Sequence, residues 1–286
     1  MNRKDALKKI TGASLLPLLP NLTISCEAPE NTAAGLVNHS VCKWCYSDIP
    51  LEEMCEKVKD FGISSIELLG PKEWPVVQKY GMTCAIGNPE TYSLTEGFND
   101  PSKHQELQKI YKEVIPMAAE AGLSKIICFS GNRNALSDEE GLENCAVGLD
   151  PLVKIAQEHN ITLCMELLNS KIDHKDYQCD HTAWGAQLVE KLGSDHFRLL
   201  YDIYHMQIME GDVIRTIRDH QQYIAHYHTG GVPGRNEIDD TQELNYRAIM
   251  EAIVATGYEG FVTQEFIPKS DKPLNSLKRA IEICDV

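Results

Sequence analysis

Four side chains of the types that bind divalent cations follow short apolar runs in the second half of the chain. They are Glu166, Asp202, His228 and Glu265. The steps between them are 36, 26 and 37 residues, each the length of one strand with its following helix. Three carboxylates that converge without a cation repel one another and raise their own pKa values. The set therefore predicts a site for one divalent cation, and its oxygen-rich donors favour Mg²⁺ or Mn²⁺.

The elements that must position these four residues repeat along the chain from residue 36. Short apolar runs alternate with amphipathic segments, at 36–46, 65–70, 82–88, 125–132, 161–169, 197–205, 224–231 and 261–266. This alternation is typical of parallel strands joined by crossover helices. No glycine-rich phosphate loop follows the first run, which argues against a doubly wound open sheet. Eight units in about 250 residues predict an α/β fold of the closed (β/α)8 type, the TIM barrel.

The carboxyl ends of barrel strands form one face, which is where barrel enzymes place their chemistry. The four candidate ligands lie at the ends of the last four predicted strands, so they should meet on that face. Strand alternation turns His226 and His228 to the same side, so that one could bind the cation and the other donate a hydrogen bond. His205, three residues after Asp202, could orient a substrate.

The composition favours an acidic, soluble enzyme that binds a small molecule. The chain has 286 residues, of which 43% are hydrophobic and 24% are charged, as in ordinary globular proteins. The formal net charge of −15 opposes binding to phosphodiester backbones, so nucleic acid is not an expected partner. The ten cysteines are scattered, several inside apolar runs, which predicts buried free thiols. Cys42 and Cys45 form a Cys-x-x-Cys pair, but no second pair follows at zinc-ribbon spacing.

Residues 1–35 differ from the rest and are predicted to precede a barrel domain that covers residues 36–286. Basic residues followed by the apolar run ITGASLLPLLP resemble a twin-arginine export signal, with Arg3 and Lys4 in the pair position. Cys26 could then accept a lipid, and the alternative is a disordered N-terminal extension. No stretch approaches the roughly 20 apolar residues that span a bilayer. Export to the periplasm is favoured over a cytoplasmic location.

Five segments at or near the predicted strands carry recognisable motifs. They are NHSVCKWCY, SIELLG, YDIYHMQIMEGD, HYHTGGVPGRNE and QEF. Together they resemble the xylose isomerase-like barrel superfamily, and within it the hydroxypyruvate isomerase group, over residues 36–286. The resemblance implies that Glu166, Asp202, His228 and Glu265 bind one divalent cation, that the two glutamates are the acid/base pair, and that the protein is a homodimer. Hydroxypyruvate isomerases can carry Gln where this chain has His228, and His is commoner there among sugar epimerases and isomerases.

A cation flanked by two carboxylates suits removal of a proton from the carbon next to a carbonyl. The leading interpretation is a metal-dependent isomerase, an intramolecular oxidoreductase of the aldose–ketose type. It would act on a small hydroxy-oxo acid such as hydroxypyruvate through an ene-diolate, within carbohydrate metabolism. A ketose 3-epimerase, or an enzyme that processes an inosose, would use the same groups. A non-catalytic, exported sugar-binding barrel is a further alternative, although binding alone does not need two acid/base carboxylates.

Further polar residues are predicted to contact the substrate. Arg235, in the loop after the seventh run, could hold a substrate carboxylate through two parallel hydrogen bonds. Glu67, at the end of the second run, and His39, on the first, are predicted to line the opposite wall, with His226 beside the cation. Trp44 could shape the pocket, although packing is the more frequent role of a tryptophan. The predicted catalytic residues are Glu166, Glu265 and His205.

Overall fold

The structure, a computed structural model, describes residues 35–286. The predicted export segment, with Arg3, Lys4 and Cys26, lies outside these residues, and export stays a prediction. Among the helices formed by residues 35–286, none is both long enough and apolar enough to cross a bilayer.

Seven parallel strands within the described residues form a single sheet. They are β1 (Asn38–Cys42), β2 (Ser65–Glu67), β3 (Lys125–Cys128), β4 (Thr162–Glu166), β5 (Phe197–Asp202), β6 (Ile224–Thr229) and β7 (Phe261–Gln264). Their order in the sheet is β2-β1-β7-β6-β5-β4-β3. The first and last strands are therefore hydrogen-bonded neighbours, as closure of a barrel requires.

The predicted third strand, residues 82–88, joins β2 to β3 without forming a regular strand. The Ile66 N–H donates to the Thr83 carbonyl at 3.1 Å, and the Ile127 N–H donates to the Gly87 carbonyl at 3.0 Å. A Cβ at Gly87 would lie 2.7 Å from the Leu123 side chain, so the backbone can pack this closely only at a glycine. The predicted (β/α)8 barrel is confirmed, with seven regular strands and this irregular segment in the described residues.

Helices follow the strands and connect them. They are α1 (Leu51–Val58), α2 (Trp74–Lys79), α3 (His104–Glu120), α4 (Asp138–Glu158), α5 (Thr182–Leu192), α6 (Ile203–Met209), α7 (Val213–His220), α8 (Tyr246–Ala255) and α9 (Pro273–Cys284). The longest, α4, begins with a capping box in which Ser137 Oγ accepts from the Glu140 N–H and Glu140 accepts from the Ser137 N–H. Two N–H groups that the first turn leaves free are thereby satisfied.

Alternation along the strands separates a polar interior from an apolar exterior near the carboxyl ends. His226 and His228 share the interior side of β6, as predicted, and both are fully buried. Tyr227, between them, packs on the other side against Tyr258, with ring centroids 4.9 Å apart. On β6 the two imidazoles therefore lie inside the barrel, and the tyrosine between them packs outside.

The cysteines of the described residues are free thiols, and all except Cys45 are buried. The prediction of buried free thiols is confirmed. Burial and the neighbouring carboxylates of Glu265 and Glu67 raise the pKa of Cys42 well above its usual value. A protonated thiol is a poor nucleophile.

Candidate metal centre and active site

The four candidate ligands converge at the carboxyl ends of four neighbouring strands. Glu166 ends β4, Asp202 ends β5 and is the register partner of His228 on β6, and Glu265 directly follows β7. The Glu265 N–H donates to the carbonyl of Thr229 at 3.1 Å, which fixes its height next to β6. One oxygen or nitrogen atom from each of the four side chains lies within 4.8 Å of the corresponding atoms of the others. Three carboxylates and one imidazole at this spacing fit a single hard divalent cation.

The three carboxylates of this cluster are buried close together, so their negative charges repel one another and are poorly solvated. Burial raises the pKa of Asp202 to about 7, although the Arg235 guanidinium works in the opposite direction. Burial also raises the pKa of Glu166, with the charge of Glu265 adding to the effect. Burial opposes ionisation of Glu265 as well, but Arg235 and His228 outweigh it and hold the pKa of Glu265 well below its usual value. A bound cation would stabilise all three carboxylates in their ionised form.

Asp202 presents one oxygen to the helix and the other to the site. Its Oδ1 caps α6 by accepting from the Tyr204 N–H at 2.8 Å. Its Oδ2 accepts from Arg235 Nη2 at 2.5 Å. The cap holds one carboxylate oxygen on the helix and leaves the other directed at the candidate metal centre.

Arg235 lines the cavity, but its guanidinium is already paired with carboxylates of the protein. Nη1 donates to Glu265 Oε2 at 2.5 Å, while Nη2 donates to Asp202 and contacts His205. The guanidinium also lies 4.8 Å from the ring centroid of Tyr204. Arg235 was predicted to bind a substrate carboxylate through two parallel hydrogen bonds. In the structure both terminal nitrogens already bond to residues of the site, so a substrate carboxylate would have to compete with them.

His205 lies at the cavity, as expected for a residue that orients a substrate. Its Nδ1 is 2.6 Å from Asn169 Nδ2, and it is fully buried on the first turn of α6. Burial and the nearby charge of Arg235 lower the pKa of His205 well below its usual value. A neutral imidazole here can exchange hydrogen bonds with a ligand, whereas a charged one would oppose Arg235.

The structure corrects the prediction that Glu67 and His226 contact the substrate. Both are fully buried, and neither lines the cavity. Glu67 Oε1 accepts from His226 Nε2 at 2.9 Å and from His228 Nε2 at 2.8 Å, and its Oε2 accepts from Ser40 Oγ at 3.0 Å. Glu67 points into the barrel, as its position predicted, but it is fully buried beneath the candidate ligand His228. His226 lies beside the candidate ligand His228, and both imidazoles contact Glu67.

His39, which was predicted to line the opposite wall of the cavity, lies on the outer side of its strand. On β1 the side chain of Ser40 points into the barrel, so alternation turns His39 to the outer side. Its Nε2 lies 3.8 Å from Asp285 Oδ1, after the end of α9. His39 therefore packs behind the strand and cannot line the substrate wall.

A cavity of about 320 Å³ gives access to this cluster. Its lining residues are Trp44, Leu68, Asn88, Tyr92, Leu94, Ile127, Phe129, Glu166, Leu168, His174, His205, Arg235 and Glu265. Trp44 Nε1 donates to Glu265 Oε1 at 2.7 Å, so this tryptophan both shapes the cavity and orients a carboxylate. Asn88, Tyr92, Leu94 and His174 were missed by the sequence analysis. Asn88 ends the third predicted run, whereas Tyr92, Leu94 and His174 lie in long loops without periodicity, where their only signal is a position after a predicted strand.

The cluster predicts that the protein purified without chelators contains about one divalent ion per chain. Removal of the ion should lower the melting temperature by on the order of 5–10 °C, because a ligand at 100 times its Kd adds about 2.7 kcal/mol to folding stability. Elemental analysis and a thermal melt with and without a chelator measure this. Asp202→Asn serves as the matched control, since it should lose the ion and the chelator effect together. A fully folded, fully active metal-free protein would contradict the assignment.

The sequence matches a protein family described as Xylose isomerase-like TIM barrel over residues 55–285. A putative hydroxypyruvate isomerase of Xenopus laevis is 25% identical over 192 residues, which cover 65% of this chain and 70% of the relative. One from Homo sapiens is 33% identical over 117 residues, covering 41% of this chain and 42% of the relative. The hydroxypyruvate isomerase of Escherichia coli is 28% identical over 171 residues, which cover 59% of this chain and 66% of the relative. In two of these three relatives, the matched segment spans less than two thirds of the relative's length.

Solved structures share the fold at low sequence identity. A family 2 AP endonuclease from Brucella melitensis has a TM-score of 0.75 at 20% identity, covering 83% of this chain and 96% of that one. The 3-keto-D-glucoside 4-epimerase of E. coli has a TM-score of 0.71 at 18% identity, and the match covers 86% of this chain and 98% of that one. A zinc-bound IOLI protein has a TM-score of 0.68 at 14% identity, and the match covers 87% of this chain and 95% of that one. With the family match extending over most of its length, the chain belongs to the xylose isomerase-like TIM barrel family.

Proposed function

We propose that this protein is a metal-dependent isomerase that moves a proton between neighbouring carbons of a small hydroxy-oxo compound. The observation that carries the proposal is the pair of buried carboxylates, Glu166 and Glu265, at a four-donor cluster on the cavity. A protein that only bound a sugar would not need two carboxylates placed together against their own repulsion. The functional names of its relatives, which include hydroxypyruvate isomerase and 2-oxo-tetronate isomerase, support the same reaction class.

Each residue of the site would have a different role in such a reaction. A divalent cation held by Glu166, Asp202, His228 and Glu265 would supply positive charge against the oxyanion that develops when the carbon-bound proton leaves. One of the two glutamates takes that proton, and the same residue or its partner returns a proton at the adjacent carbon. Trp44 holds Glu265 from the outer side through Nε1, which limits rotation of the carboxylate. His205 lies at the same cavity and can orient the substrate oxygens, while Arg235 pairs with Glu265 and Asp202.

Two substrate types fit this chemistry. Hydroxypyruvate, which would give tartronate semialdehyde, is suggested by the names of the relatives. A ketose would give either an aldose or the 3-epimer of the ketose. It is favoured by His228 at the ligand position and by the largely apolar lining of the cavity. Both types begin with removal of the proton from the carbon next to the carbonyl, and a 3-epimer forms when a proton returns to that same carbon from the opposite face.

Solvent deuterium incorporation tests the proposed reaction whatever its product is. We expect the protein with Mg²⁺ or Mn²⁺ in D₂O to place deuterium on the carbon next to the carbonyl of at least one of three probes: hydroxypyruvate, a ketohexose and an inosose. NMR or mass spectrometry follows the exchange, and heat-denatured protein with the same metal gives the background rate. If none of the probes exchanges above that background, the proposed function is wrong.

A further inference from the structure

Cys42 lies beside the candidate metal centre without being one of its four donors. It ends β1, which pairs with β7, and Glu265 directly follows β7. Because Ser40 points into the barrel, strand alternation turns Cys42 to the same side. The Cys42 Sγ lies 3.9 Å from Glu67 Oε1, the oxygen that also accepts from His228 Nε2. The thiol therefore faces the same interior space as the candidate metal ligands.

This thiol completes a second set of metal donors, which we call the thiol site. One ligand atom each from Cys42, His228 and Glu265 lies within 4.8 Å of the other two, and all three side chains are buried. A mixture of sulfur, nitrogen and oxygen donors is typical of sites for ions such as Zn²⁺, whereas Mg²⁺ and Mn²⁺ prefer oxygen. The thiol site thus differs in its chemistry from the four-donor centre of three carboxylates and one imidazole.

An ion can reach the thiol site by the route that leads to the four-donor centre. Cys42 and His228 have no exposed surface, but Glu265 lines the cavity and could pass an ion inward. Burial and the charge of Glu265 raise the pKa of Cys42, so the thiol keeps its proton while no cation is present. When the metal–sulfur bond forms, the thiol releases that proton to solvent, and the cation offsets the charge of the thiolate.

The thiol site and the four-donor centre cannot both be filled, because they share His228 and Glu265. Nε2 of His228 already bonds to Glu67, which leaves Nδ1 as the nitrogen available to either ion. An ion held by the thiol site therefore takes two of the four donors that Mg²⁺ or Mn²⁺ would need.

We propose that Cys42, His228 and Glu265 form a site for thiophilic divalent ions of the Zn²⁺ and Cd²⁺ class, and that an ion bound there excludes Mg²⁺ or Mn²⁺ from the four-donor centre. The bond to sulfur favours soft ions at the thiol site, while the carboxylates favour hard ions at the other. Soft ions would accordingly inhibit any reaction that needs the hard ion. The inference rests on the candidate metal centre of the proposed function, but it does not depend on which reaction that centre performs.

Titration with Cd²⁺ tests the thiol site, because a Cd²⁺–thiolate bond absorbs in the ultraviolet. We expect about one equivalent of Cd²⁺ to produce this absorbance in the metal-free wild type and, in the Mn²⁺-loaded protein, to release the Mn²⁺, which EPR detects. Cys42→Ser, which keeps a hydrogen-bond donor next to Glu67, and Cys42→Ala should both lose the absorbance. Relative to their own Mn²⁺ affinity, they should need about tenfold more Cd²⁺ to release Mn²⁺.

Cys55→Ser is the matched control for these variants. Cys55 is also a buried free thiol, but it lies on α1 and belongs to neither donor set. Its replacement should leave both the absorbance and the release of Mn²⁺ as in the wild type. Thermal melts of the metal-free proteins check that each variant is folded.

The outcomes separate the thiol site from the proposed function. If the wild type binds Cd²⁺ without thiolate absorbance, or if the Cys42 variants keep that absorbance, the ion does not bind Cys42 and the inference is overturned. Binding of Cd²⁺ and Mn²⁺ together would also overturn it, because the two sites would then share no donor. None of these measurements uses turnover, so a failure of deuterium exchange would sink the proton transfer and leave the thiol site standing.

Discussion

Glu166→Gln and Glu265→Gln should each reduce turnover by about 10³-fold or more while the barrel stays folded. A glutamine cannot take up a carbon-bound proton, and each change also removes one charged oxygen donor from the candidate metal centre. Turnover is measured as deuterium exchange on the best substrate probe, with metal at saturating concentration. Glu251→Gln, on the exposed side of α8, is the control and should leave exchange unchanged. Full activity in either active-site variant would show that its glutamate is not an acid/base group.

The same two variants should differ in stability when the metal is removed. Burial and the charge of Glu265 raise the pKa of Glu166, so a neutral amide at position 166 relieves repulsion and should keep or raise the melting temperature. Glu265 is held ionised by Arg235 and His228 against the effect of burial. Its replacement leaves the Arg235 guanidinium without one of its two carboxylates and should cost about 1–3 kcal/mol. Thermal melts of the metal-free proteins measure this asymmetry.

The convergence of the four candidate ligands could be predicted because it depends only on strand spacing. Parallel strands place their carboxyl ends on one face, so residues that end successive strands must meet there. The depth of a side chain below that face is harder to predict. Glu67 ends its strand as Glu166 and Asp202 end theirs, yet its carboxylate binds the imidazole nitrogen of His228 that faces away from Glu265.

The cavity itself could not be predicted from periodicity. Tyr92, Leu94 and His174 lie in loops, where no alternation indicates which way a side chain points. The positive φ of Leu68 and of Arg235 also has no signature in the sequence, since neither is a residue type that favours it. His39 shows the opposite case, because strict alternation from Ser40 would have turned it away from the pocket.

Glu67→Gln should weaken metal binding by about 10- to 100-fold, although Glu67 does not touch the candidate cation. Its carboxylate accepts from Nε2 of His228, which leaves Nδ1 directed toward Glu265 at 2.8 Å and Glu166 at 3.6 Å. The glutamine keeps the shape but loses the charge that fixes this orientation and makes the imidazole a stronger donor. Titration of the metal-free protein with Mn²⁺ measures the affinity. Ser40→Ala removes another contact to Glu67 but keeps both imidazole bonds, so its effect should be smaller.

The stability of Glu67→Gln should depend on pH in a defined direction. Burial works to raise the pKa of Glu67, but His226 and His228 outweigh it and lower the pKa from 4.5 to about 2. A carboxylate with a depressed pKa stabilises the fold above its unfolded value and loses that contribution as the pH falls through the folded value. The metal-free variant should therefore be about 3 kcal/mol less stable than wild type at pH 7, and the difference should shrink between pH 4.5 and pH 2. Denaturant unfolding across this range measures it. A difference that stays constant down to pH 2 would mean that the charge of Glu67 does not hold the two histidines.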